Sequence, residues 1–170
     1  MKLKLNCSDV LLQMEIKGPA KDPEWLNVDF SLDGRYIHYL LTDDELIPAD
    51  EVRTLARELE ALLNREMMED CTVELTEPDL RFALYPAKRL FSVPGKILYV
   101  NGYMDRDPYA ELIVAFWLDE GGLGGNQLTL KLKEPELWAL MTYLKLYLGE
   151  ISGEDGDVKQ LLQAGVLAEE

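Results

Sequence analysis

"LDEGGLGGNQLTLKL" (residues 118–132) places four of the chain's twelve glycines within five positions. The element that these glycines feed decides the fold class. A phosphate-cradling loop hands its glycines to a helix, whose free amides and dipole meet the anion. Here they lead into "QLTLKL", where Leu128, Leu130 and Leu132 alternate with Gln127, Thr129 and Lys131, the period of a half-buried strand. The spacing departs from G-x-G-x-x-G, no Lys-Ser or Lys-Thr comes after it, and Asp119 and Glu120 would repel a phosphate. The glycines therefore predict a hairpin loop between antiparallel strands, not a nucleotide-binding crossover.

Upstream, the same period of two recurs. "KLKLNC" sets Leu3, Leu5 and Cys7 on one face, and "VLLQMEIK" sets Val10, Leu12, Met14 and Ile16 inward with Gln13, Glu15 and Lys17 outward. "WLNVDFSLDGRYIHYLL" (residues 25–41) alternates Leu26, Val28, Phe30 and Leu32 with polar residues. Asp33-Gly34 then reads as a tight hairpin turn before a returning strand, Tyr36 to Leu41. "CTVELT", "DLRFALY", "KILYVNGYM" and "YAELIVAFWL" are further strands, with "YPAKRLFSVPGK" as a loop and "DRDP" as a turn.

Two long stretches switch to the helical period. Thr42-Asp43-Asp44-Glu45 has the spacing of a capping box, Pro48 suits a first helical turn, and Val52, Leu55, Ala56, Leu59, Leu62 and Leu63 form an apolar stripe. "EPELWALMTYLKLYLG" reads as a second helix, with Pro135 near its start and Gly149 at its end. The order is strands, helix, strands, helix with short connections. That predicts an α+β fold, a large antiparallel β-sheet with two main helices packed on it. At 170 residues the chain reads as one domain, with a core over about 1–149 and a C-terminal extension, 150–170, able to form a short helix.

Charge is the outlier of the composition. With 32 acidic against 17 basic residues the formal net charge is −15, which disfavours nucleic acid and anionic membrane and favours basic partners. No window approaches the ~20 apolar residues of a membrane span. "MKLKLNCS" lacks the apolar run of a signal peptide, and Cys7 and Cys71 read as reduced core thiols, so a cytoplasmic location is expected.

Reaction chemistry finds little purchase. His38 is the single histidine, lies mid-strand, and reads as a sheet residue with a structural hydrogen bond. "DDE" and "DRD" are carboxylate clusters without the spacing of a calcium loop. No catalytic residue, cofactor or metal site is therefore expected, and the chain reads as a non-catalytic binding protein. Trp117 shares a strand face with Tyr109, Glu111, Ile113 and Ala115, opposite Ala110, Leu112, Val114, Phe116 and Leu118. With both faces substantially apolar, the favoured reading is a central strand covered on both sides; the other is a partner-binding face. The physical candidates for partner contact are acidic loops with nearby aromatics: Asp43, Asp44 and Glu45; Asp105, Asp107 and Tyr109; Asp119 and Glu120.

Several stretches together resemble the WapI family of bacterial immunity proteins. They are "EWLNVDFSL", the helix from Val52 to Leu63, "LTEPDLRFAL" with its Glu77-Pro78 step, and "LTLKLKEPELWALMTYLKLYL". The likeness covers about residues 24–149 and departs in the "YPAKRLFSVPGK" loop, the glycine-rich hairpin and the tail after Gly149. It implies an acidic cytosolic protein that binds and neutralises a cognate toxin domain, often a nuclease; the chain itself is expected to be a monomer or weak homodimer. Two other classes stay open: a structural or regulatory module that self-associates, and a hydrolase using paired carboxylates, which would need two acids ~5–9.5 Å apart in a cleft.

Overall fold

The computed structural model describes residues 1–75, 80–87, 106–117 and 123–169. Four strands open the chain: β1 (Lys2–Cys7), β2 (Val10–Pro19), β3 (Trp25–Gly34) and β4 (Ile37–Pro48). Helix α1 (Ala49–Leu63) comes next, then β5 (Cys71–Glu74), β6 (Leu80–Tyr85), β7 (Tyr109–Trp117) and β8 (Leu123–Leu132). Helix α2 (Glu134–Tyr147), helix α3 (Gly156–Gln163) and the short β9 (Leu167–Ala168) close it. The fold is α+β, the strand pairs among the described residues are antiparallel, and the strands–helix–strands–helix order is present. The strands divide between two sheets, ordered β4-β3-β2-β1-β9 and β5-β6-β7-β8.

The alternation of the early strands is what buries them. Leu3, Leu5, Leu12, Met14, Val28, Phe30 and Leu32 face inward and are each at most 6% exposed. Helix α1 lays Val52, Leu55, Ala56, Leu59 and Leu62 into the same core, and α2 adds Leu137, Leu140 and Leu144. Each of these valines and leucines contributes about 1.5–3 kcal/mol on leaving water. The helices pack on each other and span both sheets, with α1 touching β4 and β6 and α2 touching β1, β7 and β8. A Lys145–Glu60 ion pair links them at one end.

A buried polar contact fixes α2 on the first sheet. The β2–β3 register shifts between Ile16 and Gly18, and β1 pairs with β2 only as far as Met14. The Ile16 amide at this irregularity donates instead to Tyr143 Oη at 2.7 Å, which satisfies a group that would be costly to leave unpaired. Glu15, expected to face water, is 4% exposed and accepts from the Met1 ammonium at 2.9 Å.

After Gly149 the chain stays with the body. Asp155 caps α3 by accepting from the Asp157 amide, Val158 and Leu161 are buried, and β9 pairs Leu167 with Leu3 and Ala168 with Lys2.

Candidate partner-binding surface

The first acidic group lies on β4, the end strand of the five-stranded sheet. This corrects the expected capping box: Thr42, Asp43, Asp44 and Glu45 belong to the strand, and α1 starts later, at Ala49, with Pro48 as its N-cap. Two irregularities in the ladder explain the difference. Val28 pairs with Asp44 but Phe30 with Leu41, so Thr42 and Asp43 together oppose Asp29. Asp43 takes a left-handed φ of 55°, and its amide donates to Asp29 Oδ1 at 2.8 Å. Lys17 Nζ meets the other oxygen of Asp29 at 2.8 Å. The Lys17 ammonium, with the Asp43 amide second, holds the Asp29 carboxyl below the usual carboxylate range. The second shift, around Leu46, buries Leu46 and Ile47 in succession before the helix.

The strand thus leaves Asp43, Asp44 and Glu45 exposed in a row. Ala49 N donates to the Glu24 carbonyl at 2.8 Å, which brings the start of α1 beside the start of β3. A cavity of about 470 Å³ opens there, lined by Glu24, Trp25, Asp50 and Glu51 with Pro48 and Ala49. Glu24 and Asp50 were not among the residues singled out from sequence; the turn "GPAKDPE" hid their relation, which only the β3–β4 pairing reveals.

The second group divides. Asp105 lies outside the described residues; Asp107 is exposed, and Tyr109 opens β7. The surroundings of Tyr109 are cationic and aromatic, contrary to the acidic setting expected. Its ring stacks on Tyr85 across the β6–β7 ladder, with centroids 4.6 Å apart and 19° between planes. Lys131 Nζ sits 4.0 Å from the Tyr109 centroid, and the Arg106 guanidinium lies 5.4 and 5.6 Å from the centroids of Tyr85 and Tyr109. Arg106 also donates to the Pro86 carbonyl at 3.0 Å and to Asp70 at 2.6 Å. Tyr85 Oη donates to Glu111 at 3.3 Å, and burial, with Glu111 next, pushes the phenol up. The "DRDP" carboxylates drew attention in the sequence; the arginine between them, Arg106, reaches the Tyr85 and Tyr109 rings, Pro86 and Asp70.

The third group, Asp119 and Glu120, lies outside the described residues, as do Gly121 and Gly122 of the expected hairpin loop; β8 begins at Leu123. Strand β7 is central in its sheet, between β6 and β8. Ala110, Leu112 and Val114 are buried, whereas Tyr109, Glu111, Ile113 and Ala115 are half-buried, so this second face is not sealed as the favoured reading expected. Of the described members, Asp43, Asp44 and Glu45 sit on one sheet and Asp107 and Tyr109 beside the other.

His38 is exposed and pairs through Nδ1 with Asp33 Oδ1 at 2.7 Å across the β3–β4 hairpin. Glu15 is the one buried carboxylate among the described residues and is committed to the Met1 ammonium. Among those residues no helix is long and apolar enough to cross a membrane. No protein-family model matches the chain and no curated protein matches it in sequence, so the likeness to the WapI family rests on the quoted sequence stretches alone.

Proposed function

We propose that this chain is a non-catalytic binding protein whose acidic surface captures and neutralises a cationic protein, in keeping with a WapI-like immunity role toward a toxin domain. One observation carries the reading. The exposed row Asp43, Asp44 and Glu45 runs along an end strand toward a cavity walled by Glu24, Asp50 and Trp25. Such a surface offers carboxylates where a basic partner expects anions, together with an aromatic anchor of the kind that dominates interface energetics. The test is co-expression with the larger protein encoded by the neighbouring gene. Rescue of the host, with association slowing by about tenfold or more between low and high salt, is the expected result. The D43K/D44K/E45K variant should lose most of that association rate. Failure of rescue, or binding indifferent to ionic strength, overturns the proposal.

A second reading, self-association, is favoured by the apolar end of the same strand. Tyr36 is 88% exposed and Leu40 70% exposed beside a strand with one neighbour in its sheet among the described residues, the exposure that invites strand addition. Light scattering across a concentration series decides it: a dimer abolished by Leu40→Lys supports this reading, and a monomer throughout removes it.

A further inference from the structure

A broad depression lies away from the acidic strand, where α1, α2 and α3 meet. It encloses about 600 Å³, with a floor of Leu63, Pro135, Trp138 and Met141 and a rim of Glu60, Glu134 and Asp157. Trp138 and Pro135 also line a second depression of about 270 Å³, whose apolar wall includes Leu5, Ala139, Leu161 and Ala164. The half-buried Trp138 therefore forms a ridge between two apolar hollows. Glu60 is engaged by Lys145, whereas Glu134 and Asp157 make no ion pair among the described residues.

We infer that this groove receives a basic amphipathic helix of a protein partner. The larger hollow is lined by side chains of three helices and of Asn64 just after α1, with no strand edge to which an extended peptide could add. An incoming segment must bring its own backbone hydrogen bonds, which a helix does and an extended peptide does not. The apolar floor selects a helix with leucine-like residues at i, i+3, i+4 and i+7. The carboxylate rim selects lysine or arginine on the flanks of that stripe, where the cations can also approach the Trp138 ring. The inference rests on the cationic-partner reading and adds to the acidic strand a second contact surface, with the secondary structure of the partner segment that fits it.

The experiment uses the full chain and calorimetric titration with a synthetic 18-residue helical peptide, leucines on one stripe and arginines flanking it. A peptide of identical composition in scrambled order is the control. The helical peptide should bind at least about tenfold more tightly than the scrambled one, and Trp138→Ala should remove that preference. The E134K/D157K variant, altered only at exposed positions, should weaken binding by about tenfold, while D9K/E169K, with the same change in net charge, should not. Equal binding of both peptides, or equal weakening by both charge variants, would reduce the effect to non-specific adsorption and overturn the assignment. A dimer of the unliganded chain lost on Trp138→Ala would give the groove to a second copy and overturn it too. Host rescue that persists in E134K/D157K would sink the groove while sparing the proposed function. Selective peptide binding without rescue would do the reverse.

Discussion

Tyr143 Oη is the partner of the Ile16 amide at 2.7 Å, in a setting buried enough to push the phenol up to about 12. Tyr143→Phe keeps the ring and orphans the amide, so urea denaturation should show a loss of about 1–3 kcal/mol. One position earlier, the Thr142 hydroxyl is buried without a partner among the described residues. Thr142→Val, of similar shape, should gain about 1 kcal/mol, and a loss would mean that the hydroxyl has a bonded partner after all. Burial, with Glu136 second, also raises the Cys7 thiol to about 12 from 9.0. For both groups the unfolded chain gives up its proton first. Their contribution is therefore full below about pH 9 and is lost as pH rises toward 12. A urea midpoint that falls over that window, and falls less in Cys7→Ala, is the expected profile. Gly34 shows how a residue can be chosen for a reason its sequence context disguises. Asp33-Gly34 reads as a turn, but Gly34 pairs with Ile37, the turn residues are Arg35 and Tyr36, and a Cβ at Gly34 would lie 2.9 Å from the Asp9 carbonyl. Space, not backbone angle, demands glycine there.

At the level of elements, the bulged middle of β4 is held by Asp29 and accepts a left-handed Asp43. Asp43→Gly should be close to neutral in thermal unfolding, whereas the β-branched Asp43→Val should cost more than about 1 kcal/mol. Elements whose apolar period runs unbroken were legible: β1, β3, the buried stripe of α1 and the body of α2. The start of α1 was not. A capping-box pattern is four residues of local chemistry, and here the continuing ladder with β3 outweighs it, with two irregularities erasing the alternation that would have marked Thr42 to Pro48 as strand. At the end of the chain the short helix α3 was among the expectations, but "DVKQLLQAGVLAEE" contains nothing to show that Leu167 will pair with Leu3. Truncation after Gly149 removes Val158, Leu161 and Leu167 from the core. It should cost more than about 4 kcal/mol, seen as loss of a cooperative calorimetric transition.

For the whole molecule, a net charge of −15 sets two competing terms. Self-repulsion opposes compactness, and mostly exposed ion pairs such as Lys159–Glu154 and Arg57–Glu58 return little. Sodium chloride raised from about 10 to 300 mM should therefore raise the melting temperature as repulsion is screened; an unchanged or falling value would show that the pairs dominate. The sign of the surface was readable from composition. Which carboxylates share a surface was not, because that depends on sheet order and register, and these separated Asp43 from Asp107 and surrounded Tyr109 with Arg106 and Lys131. The pairing of β9 with β1 carries a last consequence, for synthesis on the ribosome. The first strand emerges with one side bare and waits for residues 167–168 to be translated before that side is closed. Throughout that interval the unsealed flank is open to chaperones or to a neighbouring nascent chain.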